Sequence, residues 1–346
     1  MNALETTHAT APATHPAGSA RLARTFRLLL RREYWEHKGG FLWAPLIAGG
    51  ISLLLSIMAA IVGLVLLNRA VADGDFQING IDIGMLTREM SPSDAAQLAQ
   101  GLDWSLMMSA AWPLIVLAFV VFFYCLGALY DDRKDRSVLF WKSLPLSDTQ
   151  TVLSKLASAV VVAPVIAVLA AMATMFASLV LMSLLVLAFG GNPVTLLWGP
   201  ASPLRIVLAM LAWIPVYAVW ALPTVGWLLL CSAWARSKPF LWATAVPVIT
   251  GLLVSWFDIM QLFELGSGWF WRNVVGRLLL GTVPGVDVIY RSTEIAAGGD
   301  AERAEHLLSL GWMYSTFLQP GTWIGALAGV AMIALAIRLR RWRDEG

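Results

Sequence analysis

Long apolar runs separated by short charged connections set the pattern of this chain. Six stretches are long enough to cross a bilayer, which takes about 20 predominantly apolar residues as a helix. They run from about Phe41 to Leu67, Trp104 to Tyr130, Leu153 to Phe189, Leu204 to Trp234, Phe240 to Phe257 and Thr322 to Leu339. The third is longer than a span requires, so it must tilt, kink or protrude, with Pro164 a candidate kink. Pro215 and Pro223 fall inside the fourth, while Pro239 opens the fifth and Pro247 lies within it. The alternation of a membrane β-barrel is absent. The fold class is therefore an all-α polytopic membrane protein with six transmembrane helices. No internal repeat of the kind found in inverted-repeat transporters is visible.

The connections carry their own pattern. In "ARLARTFRLLLRREYWEHKGG", Leu22, Phe26, Leu29 and Leu30 form one stripe, and Arg21, Arg24, Arg27, Arg31 and Arg32 cover the other side. This predicts a basic amphipathic helix on a membrane surface, released into the first span at Gly39 and Gly40. Between the second and third spans, "SVLFWKSL" predicts a short helix with Phe140, Trp141 and Leu144 on one face and Lys142 turned away; Pro145 ends it. Ser147 and Gln150 then have capping-box spacing for the next helix. Those aromatics suit a partner contact or an anchor in the lipid interface. "SPSDAAQLAQGL" predicts a short helix capped by Ser91 with Pro92 at its first position. In "GWFWRNVVGRLLLGTVPG", Phe270, Trp271, Val274, Val275, Leu278 and Leu279 share one face, with Arg272, Asn273 and Arg277 opposite. It is too short to cross, which predicts a segment dipping into the interface or re-entering between spans, broken at "GTVPG".

Composition agrees: 58% of residues are hydrophobic and 13% charged, about half the charge of an average soluble domain. The net charge of +2 says less than its placement. Seventeen of the 24 Lys and Arg residues lie in the amino-terminal segment, the 131–155 connection, the Arg236–Lys238 turn and the carboxyl-terminal tail. Arg69, Arg88, Arg205, Arg272, Arg277, Arg291 and Arg303 lie on the other side. The positive-inside rule therefore predicts both termini in the cytoplasm. Residues 1–20 read as a disordered tail and not as a signal peptide, because the first apolar run is too long for one. Cys125 and Cys231 fall in apolar runs and read as buried thiols.

Chemistry-bearing motifs are missing. The sequence has no G-x-x-x-x-G-K-[ST] phosphate loop and no G-x-S-x-G elbow, and His8, His15, His37 and His306 show no metal-ligand spacing. No catalytic residue, metal site, cofactor or nucleic-acid partner is expected. The spans hold almost no ionisable residues, which disfavours ion-coupled transport and favours a translocator powered by another chain. Trp213, Trp220 and Trp227 recur at seven-residue spacing on the fourth span. They would line a pathway for a hydrophobic substrate, or else pack helices and anchor the interface. A lipid-acting membrane enzyme and a non-transporting scaffold are the competing readings.

Taken together, "RREYWEHKGGFLWAPL" before the first span and "LYDDRKDRSVLFWKSLPLSDTQTVLSKL" between the second and third resemble the permeases of ABC-2 type transporters. That resemblance implies a type V exporter-like architecture: a tail (1–20), a connecting helix (21–40), a six-helix transmembrane domain (41–339) and a basic tail (340–346). It implies a homodimer, or a heterodimer with a related permease, in the inner or plasma membrane. Two separate ABC ATPase subunits would power it, and the second and fifth spans would face the dimer axis. The cargo class it implies is a hydrophobic or amphipathic compound moved outward. Residues 137–144 would be the coupling helix, with Arg136, Val138, Phe140, Trp141, Lys142 and Leu144 meeting the ATPase. Residues 21–37 would be the connecting helix, with Arg24, Arg27, Arg31, Arg32, Glu33 and Trp35.

Overall fold

Apolar sequence of this length can satisfy its backbone in lipid only by bonding within each segment, and the chain does so as helices. The computed structural model describes residues 18–72, 91–135, 147–188, 190–260, 266–292 and 309–343, and no strand occurs among them. The helices are α1 (Gly18–Glu36), α2 (Ala44–Ala72), α3 (Pro92–Ala128), α4 (Tyr130–Lys134), α5 (Asp148–Ala157), α6 (Ala163–Ala188) and α7 (Pro203–Trp220). They continue as α8 (Leu222–Trp234), α9 (Pro239–Ile259), α10 (Ser267–Phe270), α11 (Arg277–Leu279), α12 (Val286–Ser292), α13 (Leu310–Tyr314) and α14 (Pro320–Arg343). Six helical stretches are long and apolar enough to span: Gly39–Leu66, Ala95–Lys134, Asp148–Ala188, Pro203–Trp220, Pro239–Ile259 and Pro320–Trp342. This is the architecture of a multi-pass membrane protein.

Several elements differ from expectation, each for a local reason. Gly39 and Gly40, expected to release the surface helix into the first span, sit in a π-helical turn, Gly39–Trp43, between α1 and α2. The short helix expected at Ser91 is the first part of α3, a single helix of 37 residues. Ala95 N–H bonds the Ser91 carbonyl at 3.0 Å, and no proline interrupts the ladder before Pro113. The fourth span, expected as one helix from Leu204 to Trp234, is two. Pro223 has no N–H to give the carbonyl four residues back, and the helix stops at Trp220 and restarts at Leu222. Pro164 stands at the second position of α6, directly after a π-turn at Ser158–Val162.

Four spans form the centre. Leu117, Val121 and Cys125 of α3, Ala163 and Ala167 of α6, Val225, Leu228 and Leu229 of α8, and Ile333 and Ala336 of α14 share one buried cluster. A second cluster, at the end of the bundle away from both chain ends, joins Leu106 and Ala110 of α3, Ala171, Met175 and Leu179 of α6, and Ile206 and Ala209 of α7. Helix α8 meets α14 almost backbone to backbone. A Cβ on Gly226 would come within 2.6 Å of the Gly329 carbonyl oxygen, and one on Gly329 within 2.5 Å of the Leu222 oxygen. Helices α2 and α9 lie outside this centre and turn Ile51, Leu54, Met58, Leu252, Leu253 and Trp256 outward. Only 11% of the most apolar window of the first span is buried among the described residues, against 50% in the third.

Candidate functional site

The end of the bundle that bears the charged 131–155 connection holds a buried ion-pair chain. It begins on α1. Phe26, Leu29, Glu33 and His37 follow one another at three- and four-residue steps, so Glu33 occupies the inward stripe. Glu33 is 1% exposed. Its Oε2 accepts the Tyr124 hydroxyl at 2.8 Å, and Lys155 Nζ lies 3.2 Å from its Oε1. Lys155, also buried, sits 3.5 Å from Asp132 Oδ2. Asp132 in turn accepts Arg340 Nη1 at 3.3 Å, and Arg340 Nε reaches Asp148 Oδ1 at 3.2 Å.

The chain Glu33–Lys155–Asp132–Arg340–Asp148 thus ties together α1, α4, α5 and the end of α14. His37, half-buried, stands 3.9 Å from Glu33 and packs edge-on against Tyr124.

Sequence places each partner. Ser147 caps α5 as expected, accepting Gln150 N–H at 3.2 Å while Gln150 Oε1 accepts the Ser147 N–H. This fixes Asp148 in the first turn and Lys155 two turns on. Arg133 pins α4 to the end of α8: its Nη2 bonds the carbonyls of Ser232 and Ala235, the latter at 3.0 Å. Ser232 Oγ accepts the N–H groups of Leu129 and Tyr130. The extra length of the third span has its explanation here, since the first two turns of Asp148–Ala188 belong to this polar assembly.

The expected coupling residues Arg136, Val138, Phe140, Trp141, Lys142 and Leu144 lie outside the described residues. Both flanks of that segment, Asp132 before it and Asp148 after it, are held in the ion-pair chain. Of the expected connecting-helix residues, Arg24, Arg27, Arg31 and Trp35 are exposed and Arg32 pairs with Glu36 at 3.1 Å. Lys38 Nζ lies 5.2 Å over the Trp35 ring. Glu33 departs from this surface set by being buried. Sequence reasoning missed Asp132, Asp148, Lys155 and Arg340 as a unit; the available signal was a single acid, Glu33, at stripe spacing on α1.

The three tryptophans do not form one stripe, because the break at Ala221 separates Trp227 from the other two. Trp227 Nε1 bonds the Ala243 carbonyl at 2.9 Å and holds α9 to α8. Trp220 is buried under Arg277, whose guanidinium carbon lies 3.8 Å from the ring centre. Trp213 lines a cavity on the opposite half of the bundle.

Arg277, set with Arg272 on the polar face of the wheel, is instead buried at 9% exposure, directly after the π-turn Trp271–Gly276. Its Nη1 reaches the Gly321 carbonyl at 3.3 Å, and its own carbonyl accepts Thr224 Oγ1 at 2.6 Å. Burial lowers its pKa, an effect opposed by Tyr290 and Asp287. Among the described residues, no three of His, Cys, Asp and Glu converge as a metal site. Compared with protein-family models, curated proteins and solved structures, the chain matches none.

Proposed function

We propose that this chain is the permease subunit of an ABC-2 type exporter in an inner or plasma membrane, with both termini cytoplasmic. It works as a dimer, with itself or a related permease, and takes its energy from separately encoded ATPase subunits. Its cargo is a hydrophobic or amphipathic compound. The observation that supports this reading is the buried chain Glu33–Lys155–Asp132–Arg340–Asp148, which clamps both flanks of residues 136–146 to α1 and α14. Removing Lys155, the partner of both Glu33 and Asp132, would leave buried Glu33 without its lysine, at about 3–5 kcal/mol. A push on the segment is therefore carried by α3, α5–α6, α1 and α14 together, as rigid-body switching requires. A connection that merely joined two spans would need no such anchorage.

Phe140 and Trp141 are the residues proposed to meet the ATPase. Replacing both with Ala is expected to weaken copurification of the ATPase about tenfold or more, since aromatic anchors contribute about 2 kcal/mol or more to protein interfaces. Unchanged copurification and unchanged coupled ATP hydrolysis would sink the coupling assignment.

A further inference from the structure

At the end of the bundle opposite the ion-pair chain, α3, α7 and the 284–288 turn enclose a cavity of about 290 Å³. That is about twice the volume of an engineered apolar cavity that holds one benzene. Its wall is soft: Met107, Met210 and Met313 supply unbranched side chains that reshape around different ligands, and Trp213 adds a flat surface. Met108 and Ile115 of its lining are 47% and 46% exposed, so no other described helix covers the cavity on that side of α3. The lining includes one carboxylate, Asp287, only 4% exposed and in electrostatic interaction with Arg277. A carboxylate has about four acceptor positions and can take a further donor beyond those already engaged.

We propose that this cavity binds a single-tailed amphiphile, entering beside α3, whose hydrogen-bond-donating head reaches Asp287 while its tail lies among the methionines. A neutral hydroxyl or an amine meets that chemistry. An ionised carboxylate head does not, because it has no hydrogen to donate to Asp287. The site stands apart from the ATPase-facing end, so binding is measurable whether or not the permease reading holds.

The test uses the full chain in lipid nanodiscs and a decanol analogue carrying a photoreactive diazirine on its tail. Photolysis and peptide mapping are expected to place adducts on Met210 or Met313. Decanol and decylamine should compete at concentrations about tenfold lower than decanoate, the discrimination expected of one hydrogen bond to a charged acceptor. Asp287→Asn should erase that difference. Met210→Trp, which fills the cavity from α7, should abolish specific labelling; Val288→Phe does so from a separate wall should the first variant fail to fold. Adducts spread evenly over the outward residues of α2, or decanoate competing as well as decanol, overturn the proposal.

Discussion

Glu33 shows how a single residue can be misread from its neighbours. It lies in a run of arginines and aromatics, and its flanks Arg32, Trp35 and Glu36 are at least partly exposed. Yet its spacing from Phe26 and Leu29 sends it inward, where Tyr124 and Lys155 receive it. The stripe was legible; the identity of the cation that makes burial tolerable was not, because Lys155 stands 122 positions away in sequence. Charges of this kind are costly to leave unmatched. Lys155→Met is therefore expected to destabilise the folded protein by about 3–5 kcal/mol. Adding Glu33→Gln to that variant should return part of the loss, through a coupling of about 0.5–3 kcal/mol between contacting residues. Thermal unfolding of the purified single and double variants reads both effects. A lone Lys155→Met that unfolds at the parental temperature would show that the pair is not formed.

At the scale of elements, prolines and glycines decide where spanning helices stop, shift or touch. Pro223 divides the fourth span, and the small surface of α14 then accepts the restarted helix: Gly325 and Gly329 leave room for Pro223 and the Leu222 carbonyl. Gly321, Gly325 and Gly329 recur every four residues, a spacing that serves close helix approach in membranes. Here Gly325 and Gly329 serve contacts within the chain. Gly329→Ala must push its new methyl group against backbone at 2.5 Å, an overpacking expected to cost about 1–3 kcal/mol. Gly321→Ala meets nothing within 4 Å and should leave stability near parental. Equal midpoints for the two variants in a thermal unfolding comparison would contradict the contact. Arg277 gives the same lesson from another direction. A helical wheel reads one segment alone, whereas Arg277 is covered by the Trp220 ring and by its bonds to Gly321 and Thr224, which lie on other helices.

For the whole molecule, the distribution of positive charge predicts sidedness. The arginines of α1 and those at the end of α14 belong to the same end of the bundle, joined through Glu33, Lys155, Asp132 and Arg340. The permease reading puts that end in the cytoplasm. Cys125 and Cys231 are both buried, so a single introduced cysteine stands out against a quiet background. Arg341→Cys, on an exposed position, is expected to react with a membrane-impermeant maleimide only after cells are permeabilised, and Ser93→Cys in intact cells. The reverse pattern would invert the topology.

Sequence alone determined that the chain is helical, that six stretches are long and apolar enough to cross a membrane, and where the capping box of α5 would form. Those features follow from local properties: run length, the missing N–H of proline, and a serine three residues before a glutamine. It also marked the charged connection between the second and third spans as unusual. Tertiary structure decided what those charges do. Asp132, Asp148, Lys155 and Arg340 acquire partners only when α1, α4, α5 and α14 converge, and which acid meets which base depends on distances that no single stretch encodes. The same holds for the methionine-lined cavity. Its walls come from segments more than two hundred positions apart, and the physical quantity that defines it, a volume left unfilled between helices, exists only once they have packed.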